Sequence, residues 1–217
     1  MVINNKQAFK SLNKLTKYAI ILSICSLVLV ILTNLFYIIF SISLENVSDS
    51  YTVDYYSSYS ITQSNNIPYA IFDIIYYIVT FASSILFLWW IYRANKNIHI
   101  FGAKDIYSPT MSVIWFFIPF INILYGYRIA KQIWTASDTS ITLMDGKEWK
   151  NYYHSLKIVK IWWILTILIN ILLFMSSYSL GYISILIVIL SIISTILYIK
   201  IIKQVAKWQD QKAAKII

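Results

Sequence analysis

Four long apolar runs set the reading of this chain. From Ala19 to Ile42 no charged residue interrupts the sequence, and the run is longer than the roughly 20 helical residues that a bilayer's hydrocarbon core requires. A second run extends from Pro68 to Tyr92, with proline at a helix start and a Trp89, Trp90, Tyr92 belt before Arg93. Aromatic rings in such a belt sit at headgroup depth. Ile161 to Ser176 and Tyr182 to Ile199 follow, separated by the short neutral linker 177–181, and read as a helical hairpin. The first run follows lysines, as a signal peptide does, but it is too long and lacks a small-residue exit. An uncleaved anchor is expected.

A fifth apolar stretch, Met111 to Tyr127, is short and holds Pro119, Asn122 and Gly126. Charge decides how to treat it. If it does not cross, all 18 Lys and Arg residues fall on one side of the membrane. They occupy Lys6 to Lys17, Arg93 to Lys104, Arg128 to Lys160 and Lys200 to Lys215, while the opposite side holds Glu45, Asp49 and Asp54. If it crosses, part of that charge must lie outside, against the bias of Lys and Arg toward the cytoplasm. The pattern therefore predicts a re-entrant or interfacial helix-break-helix over 108–127. A proline-kinked crossing is the alternative. Backbone groups freed at the break must be satisfied inside protein or a wet cavity, since lipid offers no partners, and Asn122 is placed to help.

The expected architecture is all-α and polytopic: four transmembrane helices, at about 19–42, 68–92, 161–176 and 182–199, plus the Pro-broken hairpin. A basic N-terminus over 1–18, an amphipathic helix over 128–138 and a basic tail over 200–217 complete it. Composition agrees, with 59% hydrophobic and 12% charged residues against about 25% charged in soluble domains. Only 4 glycines and 3 prolines punctuate the chain, which favours few long helices over many short strands. The net charge of +9 belongs beside anionic headgroups rather than nucleic acid. The expected location is a bacterial inner membrane, with both termini cytoplasmic.

Lysines 6, 10, 14 and 17 recur at helical spacing, with Phe9, Leu12 and Leu15 elsewhere, as in a helix lying on a headgroup surface. After the hairpin, Ile129, Ala130, Ile133, Trp134 and Ser137 form a stripe from which Arg128, Lys131 and Gln132 face away, and Asp138 ends the run. The C-terminal lysines read as a solvated, lipid-facing tail. The outer loop from Ser43 to Ile67, with Tyr51, Tyr55, Tyr56 and Tyr59, reads as resting on the outer interface.

Chemistry is sparse. His99 and His154 lie in basic loops outside any metal-ligand spacing, and Cys25 is the single cysteine, inside an apolar run. No phosphate-binding glycine loop and no serine nucleophile elbow occurs, so no cofactor, metal or catalytic residue is expected. Asp73, near the outer end of the second span, is the one intramembrane ionisable residue. It reads as a solvated, helix-start carboxylate before a proton or cation site. Asn34 and Asn170 read as hydrogen-bonding glue between helices.

Several pieces recur together in order and spacing: Trp90-x-Tyr92-Arg93-Ala94-Asn95-x-Asn97, Gly102-Ala103, Ser108-Pro109, Trp115-Phe116-Phe117-Ile118-Pro119-Phe120-x-Asn122, Tyr127, Trp134-x-Ala136-Ser137-Asp138 and Trp162-Trp163. In these the chain resembles, over about 67–199, a bacterial family of membrane proteins, the domain of unknown function numbered 4328. The family often has proline where this chain has Gly126. The resemblance implies a multi-helix membrane domain and supplies no activity. Its motif residues concentrate on the basic end of span two, the hairpin and the helix after it, which makes Arg93, Asn95, Asn97, Pro119, Asn122, Arg128, Trp134 and Asp138 the candidate functional or structural residues. Arg93, Asn95 and Asn97 suit either a headgroup phosphate or the hairpin's open backbone.

The function expected from these residues is that of a non-enzymatic scaffold, organising a partner protein or anionic lipid at the cytoplasmic face, with homo-oligomers as one form of partner. The alternative is a small oligomeric transporter or channel subunit whose broken segment lines a pathway.

Overall fold

The computed structural model describes residues 9–48, 67–141, 156–176 and 182–216, and all its regular structure is helical. Six α-helices occur in chain order: α1 Asn13–Ser48, α2 Ile67–Ile100, α3 Pro109–Ile114, α4 Pro119–Ser137, α5 Lys157–Ser176 and α6 Tyr182–Ile216, with a 3₁₀ turn, Trp115–Phe117, between α3 and α4. Among the described residues four helices, α1, α2, α5 and α6, are long and apolar enough to cross a membrane. The chain is a multi-pass membrane protein. Its apolar residues point outward as well as inward: Ile21, Ile24, Val28, Leu32 and Leu35 form an exposed stripe on α1, as do Ile185, Ile189, Ile193 and Ile196 on α6. Hydrocarbon is the solvent for those faces.

α1 packs against α2 and α6, and α6 against α5, whereas α2 and α5 share no extended seam. The segment α3–α4 fills the space between them, and α4 touches α2, α5 and α6. Both ends of this segment lie at the same end of the bundle, since Ser112 bonds Asn95 on α2 and Ser137 bonds Gln209 on α6. In its middle, the Phe116 ring meets Phe87 edge-on at 5.4 Å and Trp163 at 6.3 Å. Phe87 stands eight residues from Asn95, ~12 Å along α2. The segment dips and returns. Met111, Ile114, Phe117, Phe120 and Leu124 are exposed on it, with Phe120 at 86%, as a tip standing in lipid requires.

The described lysines and arginines all belong to this same end, hereafter the basic end. The N-terminal segment and the end of α6 meet there too, through Asn13 and Asp210. Two expectations need correction. Residues 9–12 do not extend a surface helix: α1 begins at Asn13, Leu12 is buried at 1%, and the Phe9 ring packs tilted against Phe101 at 5.8 Å. Nor is 200–217 a solvated tail. α6 is 35 residues long, ~50 Å, and its last turns bury Ile201, Ile202, Val205, Ala206, Gln209, Lys212 and Ala213. The lysine spacing that suggested a solvated face, 200, 203, 207 and 215, leaves that complementary stripe free to pack.

Asn34 and Asn170 do not bridge helices either. Each amide donates to the carbonyl one turn back in its own helix, Val30 and Thr166, at 2.7 Å. In lipid the nearest free acceptor is the local backbone. The tyrosines of the outer loop, His154, the linker 177–181 and the side chain of Asp73 lie outside what the structure describes.

Candidate functional site

A layer of buried polar side chains closes the basic end, and most of the sequence-selected residues lie in or beside it. Asn95 and Asn97, in the last turns of α2, are 0% and 1% exposed. The Asn95 amide donates to Ser112 Oγ at 2.8 Å, which fastens α3 to α2. The Asn97 amide donates to the carbonyl of Lys10 at 3.0 Å and to Gln209 Oε1 at 2.8 Å. Gln209 Nε2 in turn donates to the Ala94 carbonyl at 3.0 Å and to Ser137 Oγ at 2.9 Å. One glutamine thereby joins α2, α4 and α6. Lys212, one turn on, donates to the carbonyls of Ala136 and Asp138 at 2.9 and 2.8 Å. These are free acceptors at the C-terminus of α4, where a cation also meets the negative end of the helix dipole.

Asp138 caps α4 differently. Its Oδ1 accepts from the backbone N–H of Ser140 at 2.9 Å and from its hydroxyl at 2.8 Å, turning the chain away from the helix. Trp134 is buried and meets Trp208 edge-on at 4.7 Å. The predicted stripe on this helix is buried, Ile129, Ile133, Trp134 and Ser137 at 5% or less, but it faces protein rather than headgroups. Arg128 is exposed, its guanidinium 5.3 Å from the centre of the Tyr125 ring. Arg93 is half-buried on α2.

The hairpin break follows from its sequence. Ser108 caps α3, accepting from the N–H of Met111, and Pro109 occupies the first turn. Ile118, held extended by the proline after it, stops the first half, and Pro119 starts α4 where no N–H is needed. Asn95 and Asn97 do not cap the open backbone, because both amides are spent on side chains and on Lys10. Trp163 fastens the exit helix to α5, donating from Nε1 to the Ile123 carbonyl in the first turns of α4 at 2.9 Å. Gly126 makes this approach possible. A Cβ there would collide with the Trp163 indole and come within 2.8 Å of Asn122 Oδ1. Asn122 Oδ1 itself is buried without a partner among the described residues, as are Asn95 Oδ1 and Trp115 Nε1.

Deeper in the bundle, a second feature lies beyond an aromatic layer. Phe87, Trp162 and Tyr198 contact one another at ring distances of 5.9 to 6.3 Å. Above them, away from the basic end, is a cavity of about 330 Å³ between α1, α2, α5 and α6. Hydroxyls line it: Ser23 and Ser26, Thr80, Ser83 and Ser84, Thr166, and Ser191, Ser194 and Thr195, with Tyr76. None of the residues lining it is Asp, Glu, Lys, Arg or His. Among the described residues, no group of three or more His, Cys, Asp and Glu is arranged to hold a metal.

The motif residues, in their order along α2, the hairpin and α4, lie within 55–207, the stretch matched by the model of a domain of unknown function, DUF4328. The chain belongs to the DUF4328 family. The match extends the stretch recognised by motif at both ends, taking in the start of the basic turns of α6. No curated protein and no solved structure matches the chain. In this DUF4328 protein the motif is chiefly a packing device: the motif residues Asn97 and Ser137 share Gln209 as partner, and Asn95 bonds Ser112, a residue outside the motif. Gln209 and Lys212 were missed by sequence reasoning because they sit among exposed lysines; their signal is the buried stripe 201, 202, 205, 206, 209, 212 and 213. The cavity was missed as well. Its signal is the run of hydroxyls at 80, 83, 84 and at 191, 194, 195, spaced to share a helix face.

Proposed function

We propose that this chain is a non-enzymatic membrane protein that gathers anionic lipid at its basic end. The observation that carries the reading is the way the buried Asn97–Gln209–Ser137 cluster locks α2, α4 and α6 together beneath exposed Lys96, Arg128, Lys157, Lys160, Lys200, Lys203 and Lys207. A rigid base holds those cations in fixed relation, and each contributes about 1 kcal/mol of attraction to an anionic leaflet. By the same bias of positive charge, the basic end faces the cytoplasm of a bacterial inner membrane. The test is lipid retention: protein reconstituted with mixed phosphatidylcholine and phosphatidylglycerol, then counted lipid by lipid in native mass spectrometry. Phosphatidylglycerol should be kept preferentially, and Lys200→Gln/Lys203→Gln/Lys207→Gln should abolish the preference. Equal retention of the two lipids would refute it.

The cavity favours a second reading, a small transporter or channel subunit, since substrate sites of transporters lie near the bilayer midplane. Here the Phe87–Trp162–Tyr198 layer would be the barrier to the basic end. Solute or ion flux into proteoliposomes, lost on Ser194→Leu, would favour it over lipid gathering, and no flux would count against it.

A further inference from the structure

The hydroxyl-lined cavity stands apart from the basic surface, and three of its properties select a ligand. First, it is uncharged and surrounded by membrane helices, so a phosphate or ammonium there would lack a counter-charge and lose its hydration. Second, several of its hydroxyls already spend their protons on their own helices: Ser23 on Ile20, Ser84 on Thr80 and Thr166 on Trp162, at 2.9 Å each. Such groups offer lone pairs, and therefore want a ligand that brings O–H donors. Ser26 Oγ and Thr80 Oγ1 are buried with no partner among the described residues, which is costly unless something occupies the space. Third, the way in is restricted. The aromatic layer of Phe87, Trp162 and Tyr198 blocks the basic end, while α2 and α5 share no extended seam of their own and the hairpin meets them at Phe116 and Ile123.

We propose that this cavity binds the uncharged, hydroxyl-bearing head of a glycerolipid of the diacylglycerol type, which enters sideways from the bilayer between α2 and α5. At about 330 Å³ the space is at the small end of ligand sites, which run from about 300 to 1,000 Å³. It holds a glycerol head and its ester groups, and the acyl chains stay in the bilayer. The ligand's free hydroxyl donates to the acceptor side chains on α2 and α5, and its ester carbonyls accept from Ser26 and Thr80. A phosphatidylcholine head lacks O–H donors and carries two charges, so it is excluded. The inference does not depend on lipid gathering at the basic end.

The full chain in phosphatidylcholine proteoliposomes is exposed to a photoactivatable dioleoylglycerol analogue, crosslinking from the acyl chain near the glycerol, with phosphatidylcholine and phosphatidylglycerol analogues as parallel arms. The dioleoylglycerol probe should label peptides around Ser84 and Thr166 about tenfold above either other arm, roughly the factor one hydrogen bond is worth. Ser194→Leu and Thr80→Trp, each filling the cavity, should remove that excess while sedimentation and helicity stay unchanged. If Thr80→Trp does not fold, the smaller Ser194→Leu decides. Equal labelling in all arms, or labelling that survives Ser194→Leu, would mean ordinary annular lipid and overturn the proposal. Stronger labelling by phosphatidylglycerol would overturn the charge argument and the proposal with it. No labelling, together with reaction of Ser84→Cys in a Cys25→Ser background with a small water-soluble thiol reagent, would show a cavity filled by water alone and would equally end it.

Discussion

The side-chain amide of Asn97 donates to Gln209 Oε1 at 2.8 Å, across 112 positions of sequence and inside a fully buried contact between α2 and α6. Around that bond the N-terminal segment, the hairpin's exit helix and the end of α6 all converge. Gln209→Leu strips one partner each from Asn97, Ala94 and Ser137. It should lower stability by roughly 1–3 kcal/mol, seen as an earlier thermal transition in detergent. Gln211→Ala, at an exposed position two residues on, should leave the transition in place. Equal effects from both would mean the cluster is not a clamp.

Lys212 holds the C-terminus of α4 through two carbonyls. Lys212→Met keeps the aliphatic packing and removes the donors, so the last turn of α4 should fray before the bundle loosens. Hydrogen exchange at 135–138 should accelerate while exchange at 90–98 stays slow. Uniform acceleration would point to global destabilisation instead.

Gly126 and Trp163 are fitted to one another. Gly126→Ala should cost about 1–3 kcal/mol by overpacking, and Trp163→Leu should weaken the hairpin by removing both ring and hydrogen bond. The two losses should be less than additive when combined, because the collision disappears with the indole. Strict additivity in a double-mutant thermal series would show that the contact is not shared.

Both ends of the dipping segment should be accessible from the same side of the membrane. In a Cys25→Ser background, single cysteines at the exposed positions Ser108 and Ser140 should react with an impermeant maleimide from one face only, the same for both. Reaction from opposite faces would mean that the segment crosses.

Much of the architecture was legible in the chain itself. Uninterrupted apolar length marked the four long helices, because lipid tolerates neither charge nor open backbone. The short, proline-broken stretch could be separated from them by its length and by the one-sided distribution of Lys and Arg. Motif residues such as Asn95, Asn97 and Asp138 lie together at the basic end and are buried there, which residue type and spacing alone did not indicate. The Asn95 amide reaches Ser112, and that of Asn97 reaches Gln209 and the Lys10 carbonyl rather than the hairpin's backbone, while Trp163 meets the Ile123 carbonyl.

Sequence by itself, then, determined which segments live in hydrocarbon and which end carries the charge, since both are set by the transfer cost of individual residues and need no partner to be read. Tertiary structure alone decided that the last turns of α6 are core, with Lys212 buried among them, and that hydroxyls scattered over four helices line one cavity. Those features depend on which helix faces meet, and hydrogen-bond partners drawn from positions as far apart as 97 and 209 leave no local pattern from which packing can be inferred.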